Sequence, residues 1–108
     1  MITRIKKVSI YSSDCHTPEE IEIKNECNAT LIDNVLNFVF SYKNYNEEVR
    51  DLAGTILWVK HLIKDKKIKR IYILTTEDTL IDLTSNYYLL EETENPLYFS
   101  IILHNNLD

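Results

Sequence analysis

Residues 46–67, with the sequence NEEVRDLAGTILWVKHLIKDKK, constrain the fold of this chain more than any other stretch. Their apolar residues recur at the three- and four-residue spacing that lines one side of an α-helix, as at Leu52, Ile56, Val59 and Ile63. Carboxylates occupy the first turns and lysines the last, which is the order that the helix dipole favours. We therefore expect one long helix whose broad apolar side packs on more than one neighbouring element.

Gly54 is the only glycine of the chain and falls in the middle of this helix. A glycine in a helix interior costs about 1 kcal/mol relative to alanine. The pair Ala53-Gly54 therefore predicts a place where a neighbouring element approaches the helix closely.

The segments on either side of the helix have the alternating or short apolar patterns of β-strands. Strands are predicted at residues 2–12, 20–24, 70–76, 79–83, 87–92 and 97–104, the fourth of which could also be a helical turn. The last two are expected to pair as a hairpin through residues 93–96. In the first strand, strict alternation predicts that Ile5 faces the side opposite to Val8 and Ile10.

Residues 31–43 fit two patterns. Leu31, Val35 and Val39 follow a helical stripe, whereas Phe38 and Phe40 belong to an alternation typical of a strand. We favour a helix and keep a strand as the alternative. The expected fold is thus α+β, a single domain over residues 1–108. One or two helices pack on a mixed or antiparallel sheet with a C-terminal β-meander.

Composition places the chain among globular proteins, with 44% apolar and 27% charged residues. No apolar run approaches the roughly 20 residues that cross a bilayer, so no membrane association is expected. The first residues lack the apolar region of a signal peptide, which predicts a cytoplasmic protein. In that compartment Cys15 and Cys27 are expected to be reduced thiols.

Charge is distributed unevenly along the chain, which carries a net charge of −5. Residues 1–70 contain all twelve lysines and arginines and ten acids, whereas residues 71–108 contain seven acids and no basic residue. Proteins that bind nucleic acids normally present a basic surface that neutralises phosphates. The acidic last third therefore argues against a nucleic-acid partner.

The sequence lacks the common motifs of catalysis and of cofactor binding. A single glycine excludes the glycine-rich loops that hold nucleotides, and the cysteines and histidines lack the spacing of a zinc site. We therefore expect a protein that is not an enzyme and that needs neither a cofactor nor a metal.

Tyrosines and carboxylates cluster in the acidic last third. Rigid aromatic side chains surrounded by carboxylates suit a basic protein partner, because tyrosine supplies buried area and the acids accelerate and orient encounter. An immunity protein that neutralises a nuclease toxin, an antitoxin or a similar inhibitor has this character. The alternative is a solvated acidic face that only maintains solubility. The predicted contact residues are Tyr87, Tyr88, Glu91, Glu92 and Glu94, supported by Glu77 and Asp78.

Two other functions remain open. Asp14, followed by Glu22 and Lys24 in the sequence IEIK, is similar to the motif of the PD-(D/E)xK nucleases. That resemblance implies that Asp14 and Glu22 hold Mg²⁺ and that Lys24 orients the attacking water. An ordinary amphipathic strand has the same pattern. The third possibility is a structural subunit of a larger assembly, which would bury a large apolar face in a homo-oligomer.

Overall fold

The computed structural model describes residues 2–13, 16–23, 27–40, 47–94 and 98–104. Within these ranges the chain forms one α-helix and eight β-strands, all in one sheet. The elements are β1 (Ile2–Ser12), β2 (Glu19–Glu22), β3 (Cys27–Ile32), β4 (Val35–Phe40), α1 (Glu47–Lys64), β5 (Ile68–Thr75), β6 (Leu80–Asp82), β7 (Tyr87–Glu92) and β8 (Tyr98–His104).

The sheet is antiparallel throughout, and its strands follow the order β6-β5-β1-β3-β4-β8-β7. The long strand β1 pairs with β5 along one edge and is shared by β3 and β2 along the other. The α+β class and the C-terminal meander of β7 and β8 are therefore confirmed.

Helix α1 covers one face of this sheet, called the inner face below. Its residues Ile56, Val59 and Ile63 belong to the same buried cluster as the inward side chains of the strands. Phe38 and Phe99 stack within that cluster with ring centroids 4.9 Å apart. Helix α1, the one helix of the described residues, is not long and apolar enough to span a membrane.

Helix α1 ends in a left-handed turn at Lys66, whose φ is 57°. The Lys67 N–H donates to the Leu62 carbonyl at 2.9 Å and the Lys66 N–H donates to the Ile63 carbonyl at 3.1 Å. These two bonds form a Schellman motif, in which the left-handed position usually holds glycine. The motif stops the helix at Lys64, before the predicted end at residue 67.

The helix favoured for residues 31–43 is wrong. These residues fall in the β3–β4 hairpin, apart from residues 41–43, which lie outside the described ranges. A two-residue turn at Asp33 and Asn34 joins the strands, and Asp33 has a φ of 54°. The apolar residues of β4 imitate a helical stripe because they occur on both faces of the strand: Leu36 is buried inside and Val39 is exposed outside.

The predicted orientation of Ile5 is also wrong. Ile5 pairs with Thr75, but Lys7 pairs with the next residue, Leu74, so β1 contains one extra residue at Lys6. Such a β-bulge reverses the alternation of the strand. Ile5 consequently lies on the inner face with Val8 and Ile10, and all three are buried.

Gly54 does not mark a close approach, which corrects the packing role predicted for it. It lies on the exposed side of α1, and a Cβ atom built there meets no atom of the described residues within 4 Å. The chain thus has glycine where the helix does not require it and lysine at the left-handed position where glycine is favoured.

We predict that Gly54→Ala raises the free energy of unfolding by about 1 kcal/mol, because alanine gains helix propensity without a clash. Lys66→Gly is expected to stabilise as well, because it relieves the left-handed backbone at Lys66. Chemical denaturation measures both, and Ala53→Gly, which should destabilise, is the control. A loss of stability in Gly54→Ala would contradict the packing described for α1.

Candidate functional site

The two adjacent tyrosines of β7 lie on opposite faces of the sheet. Tyr88 points inward and is only 7% exposed. Its hydroxyl donates to the Leu83 carbonyl and accepts from the Ser85 N–H, both at 3.1 Å, and burial raises its pKa. Tyr88 is therefore a core residue that holds the β6–β7 connection, and it does not present a surface to a partner.

Tyr87 points outward and remains 41% exposed. Its ring stacks on the imidazole of His104, with centroids 4.8 Å apart and planes 3° from parallel. Leu89, 46% exposed, and Glu91 follow on the same face because side chains alternate along a strand. Glu94, also exposed, comes just after β7. We call Tyr87, Leu89, Glu91 and Glu94 the acidic strip.

Glu92 lies on the inner face and is held by helix α1. Its carboxylate pairs with Lys60 at 3.0 Å and with Lys64 at 3.9 Å. The hydrogen bond from Lys60 and the charges of both lysines lower the pKa of Glu92. The Lys60 ammonium also lies 4.8 Å from the centroid of the Phe99 ring. Glu92 thus joins β7 to the helix instead of facing solvent as an unpaired acid.

A groove of about 580 Å³ lies beside β7, next to the end of α1. Its charged lining residues are Lys64, Lys66 and Glu92, and Tyr87 and Leu89 of the acidic strip also line it. The groove therefore carries charges of both signs and borders the strip.

Glu77 and Asp78 lie in the turn between β5 and β6. The turn is held by the Thr75 hydroxyl, which accepts hydrogen bonds from the N–H groups of Glu77 and Thr79. Asp78 forms an ion pair with Lys6 of β1 at 2.5 Å. Along the sheet, β3, β4 and β8 separate β1 from β7. The structure therefore does not join Glu77 and Asp78 to the acidic strip.

The carboxylates of Glu91 and Glu94 take part in no ion pair among the described residues. By contrast, Glu92 is paired with α1 and Asp78 with β1. Of the seven residues predicted from the sequence, Tyr87 and Glu91 thus lie together on the outer face of β7, and Glu94 is exposed just beyond the end of the strand. Leu89 is the member of the strip that sequence reasoning missed. Its odd-numbered position in β7, two residues from both Tyr87 and Glu91, was the available signal.

The described residues contain no cluster of three or more potential metal ligands. Glu22 ends β2 and lies opposite Lys7 of β1, while Asp14 and Lys24, the other two residues of the nuclease pattern, lie outside the described ranges. Cys27 is a buried free thiol, and burial raises its pKa to about 12. Cys15 lies outside the described ranges.

No protein-family model, curated protein or solved structure matches this chain.

We predict that Lys60→Met raises the pKa of Glu92 towards the ordinary glutamate value, because the closest cation is lost. Lys64→Met should raise it less, because that ammonium lies farther from the carboxylate. In the native protein a lowered pKa means that Glu92 stabilises the fold above its unfolded pKa, and that this stability is lost as the pH falls through the folded pKa. NMR titration of the Glu92 carboxyl measures its pKa in the wild type and in both variants. An equal rise of the pKa in the two variants would contradict the geometry.

Proposed function

We propose that this chain is a non-catalytic binding domain that neutralises a basic protein partner through the acidic strip. The observation that carries the proposal is the alignment of an exposed tyrosine, an exposed leucine and a carboxylate on the outer face of β7, where the carboxylate has no ion pair with any described residue. Glu94 adds an exposed carboxylate just beyond the end of the strand. An immunity protein for a nuclease toxin, or a comparable inhibitor, is the biological role we propose for it.

The chemistry of the strip suits such a partner. The ring of Tyr87 is already held by its stack on His104. Its burial by a partner therefore costs little additional side-chain entropy. Leu89 adds apolar area beside it, and Glu91 and Glu94 attract lysines or arginines that would otherwise contact phosphates. No lysine or arginine occurs from residue 71 onwards, so the whole C-terminal third adds to the negative potential.

The proposed contact surface includes only some of the residues that the sequence predicted for it. Tyr88 and Glu92 have structural roles, in the core and in the ion pairs with α1, and are left out of the surface. The proposed site of action is the cytoplasm, a reducing compartment in which free thiols such as Cys27 persist.

We predict that Glu91→Lys slows association with the basic partner about tenfold at low salt, because it places a cation in the path of the partner's cations. Tagged wild-type chain should retain a basic protein from a lysate of the source organism and release it as the salt concentration rises. Glu91→Lys should retain much less of the same protein.

Glu77→Lys is the matched control, because it makes the same change in net charge on an exposed carboxylate outside the strip. It should retain the partner almost as well as the wild type. If both variants lose the partner equally, binding depends on total charge and not on the strip. If the wild type retains no basic protein, the proposed function is wrong.

A further inference from the structure

The outer face of the sheet, opposite α1, contains a continuous row of apolar side chains that crosses five strands. Each member is the direct cross-strand partner of the next. Ile2 and Leu89, at the two ends, are 63% and 46% exposed. We call this set the apolar row: Ile2 (β1), Ile32 (β3), Val35 (β4), Ile102 (β8) and Leu89 (β7).

A polar row lies beside it, two residues farther along each strand, and its two ends have opposite charge. Arg4 of β1 stands at one end and Glu91 of β7 at the other, and the cross-strand partners between them are Thr30, Asn37 and Ser100. The Asn37 side-chain carbonyl accepts hydrogen bonds from the hydroxyls of Ser100 and Tyr98, at 2.7 and 3.2 Å. The polar groups at the centre of the row are therefore hydrogen-bonded to each other within one copy of the chain.

The two opposite charges at the ends of the polar row lie far apart. Four strand spacings separate Arg4 from Glu91, which is roughly 19 Å along the sheet. Neither side chain belongs to an ion pair among the described residues, although both are exposed. A single copy of the sheet therefore presents one positive and one negative end with apolar side chains beside them.

The strands that carry these rows have the composition of strands covered on both faces. β4 (VLNFVF) is apolar at five of its six positions and β8 (YFSIILH) at five of its seven, whereas a sheet with one solvated face usually alternates apolar and polar residues. Helix α1 covers only the inner face, where Phe38 and Ile101 lie. The outer face thus has the chemistry of an interface and lacks a covering element in the described chain.

The arrangement of both rows is symmetric about β4. A two-fold axis parallel to β4 and lying in the plane of contact exchanges β1 with β7 and β3 with β8. It places Arg4 of one copy against Glu91 of the other, and Ile2 against Leu89. Val35 lies on the axis and meets its own equivalent, so apolar side chains face apolar ones along the whole row.

We propose that a second copy of this chain covers the outer face, with the apolar rows in contact and two reciprocal ion pairs between Arg4 and Glu91. The contact is isologous, because the same surface patch serves on both copies. It resembles the face-to-face packing of two sheets in a sandwich, which lie about 10 Å apart.

The size of this face predicts a dimer that dissociates on dilution. Beside the polar row, the cross-strand partners Asn28, Val39 and Tyr98 form a third, shorter row. Five strands and these three rows cover roughly 24 by 20 Å, so two copies bury on the order of 1,000 Å². That area lies at the lower limit of specific interfaces and far below that of obligate dimers. The dimer should therefore form at micromolar or higher concentrations.

This dimer goes beyond the proposed function and shares two residues with it, Leu89 and Glu91. Glu91 belongs both to the acidic strip and to the polar row, so a basic partner and a second copy compete for it. Arg4 belongs to the dimer contact alone. A change at Arg4 therefore tests self-association without testing the binding of a basic partner.

Charge reversal within the purified chain tests the proposal. In sedimentation equilibrium over a concentration series, Arg4→Glu and Glu91→Arg should each weaken dimerisation at least tenfold, because each places like charges together at both ends. The double variant carrying both changes restores opposite charges across the axis and should recover most of the wild-type affinity. Arg50→Glu, a matched reversal on α1, should leave the dissociation constant unchanged.

Circular dichroism of every variant checks that the fold is intact. Should a charge variant unfold, Val35→Lys provides a second test, because it places two cations together on the axis and should abolish the dimer. A wild-type chain that remains monomeric at millimolar concentration would overturn the proposal. A dimer that persists unchanged in the single reversals would overturn it as well, and neither result bears on the basic partner.

Discussion

The burial of one side of α1 against the sheet is the interaction on which the rest of the structure depends. Val59 and Ile63 lie in the same core as Val8 and Phe99, so a single helix organises strands from both ends of the chain. One helix, however, covers only one face of a sheet. The opposite face carries Val35, Ile102 and other apolar side chains, and this unequal coverage is the source of the interaction surfaces inferred here.

Strand register decides which side chains act inside the molecule and which face outward. Alternation in β7 separates Tyr88 and Glu92, which serve the core and the helix, from Tyr87 and Glu91, which face outward. The acidic third of the sequence is consequently not one acidic surface. Glu92 and Asp78 are paired within the fold, whereas Glu91 is available on the outer face of β7.

The helix, the C-terminal hairpin and most strand positions could be predicted, because their periodicities are long or regular. The β3–β4 hairpin was missed because β4 is apolar on both faces, although Asp33-Asn34 offered a two-residue turn signal. The orientation of Ile5 depends on a bulge that arises from pairing with β5. The position of Arg4 and Glu91 in one cross-strand row could not be predicted, because it depends on the pairing register of five strands.

The central claim, that the outer face of the sheet is an interaction surface, is tested most directly by amide chemical shifts recorded over a range of protein concentrations. We expect the concentration-dependent shifts to occur at outer-face positions of β3, β4 and β8, such as Thr30, Asn37 and Ile102. The shifts of α1 positions such as Gly54 and Trp58 should stay constant. Shifts that map to the exposed side of α1, or spectra that do not change with concentration, would contradict it.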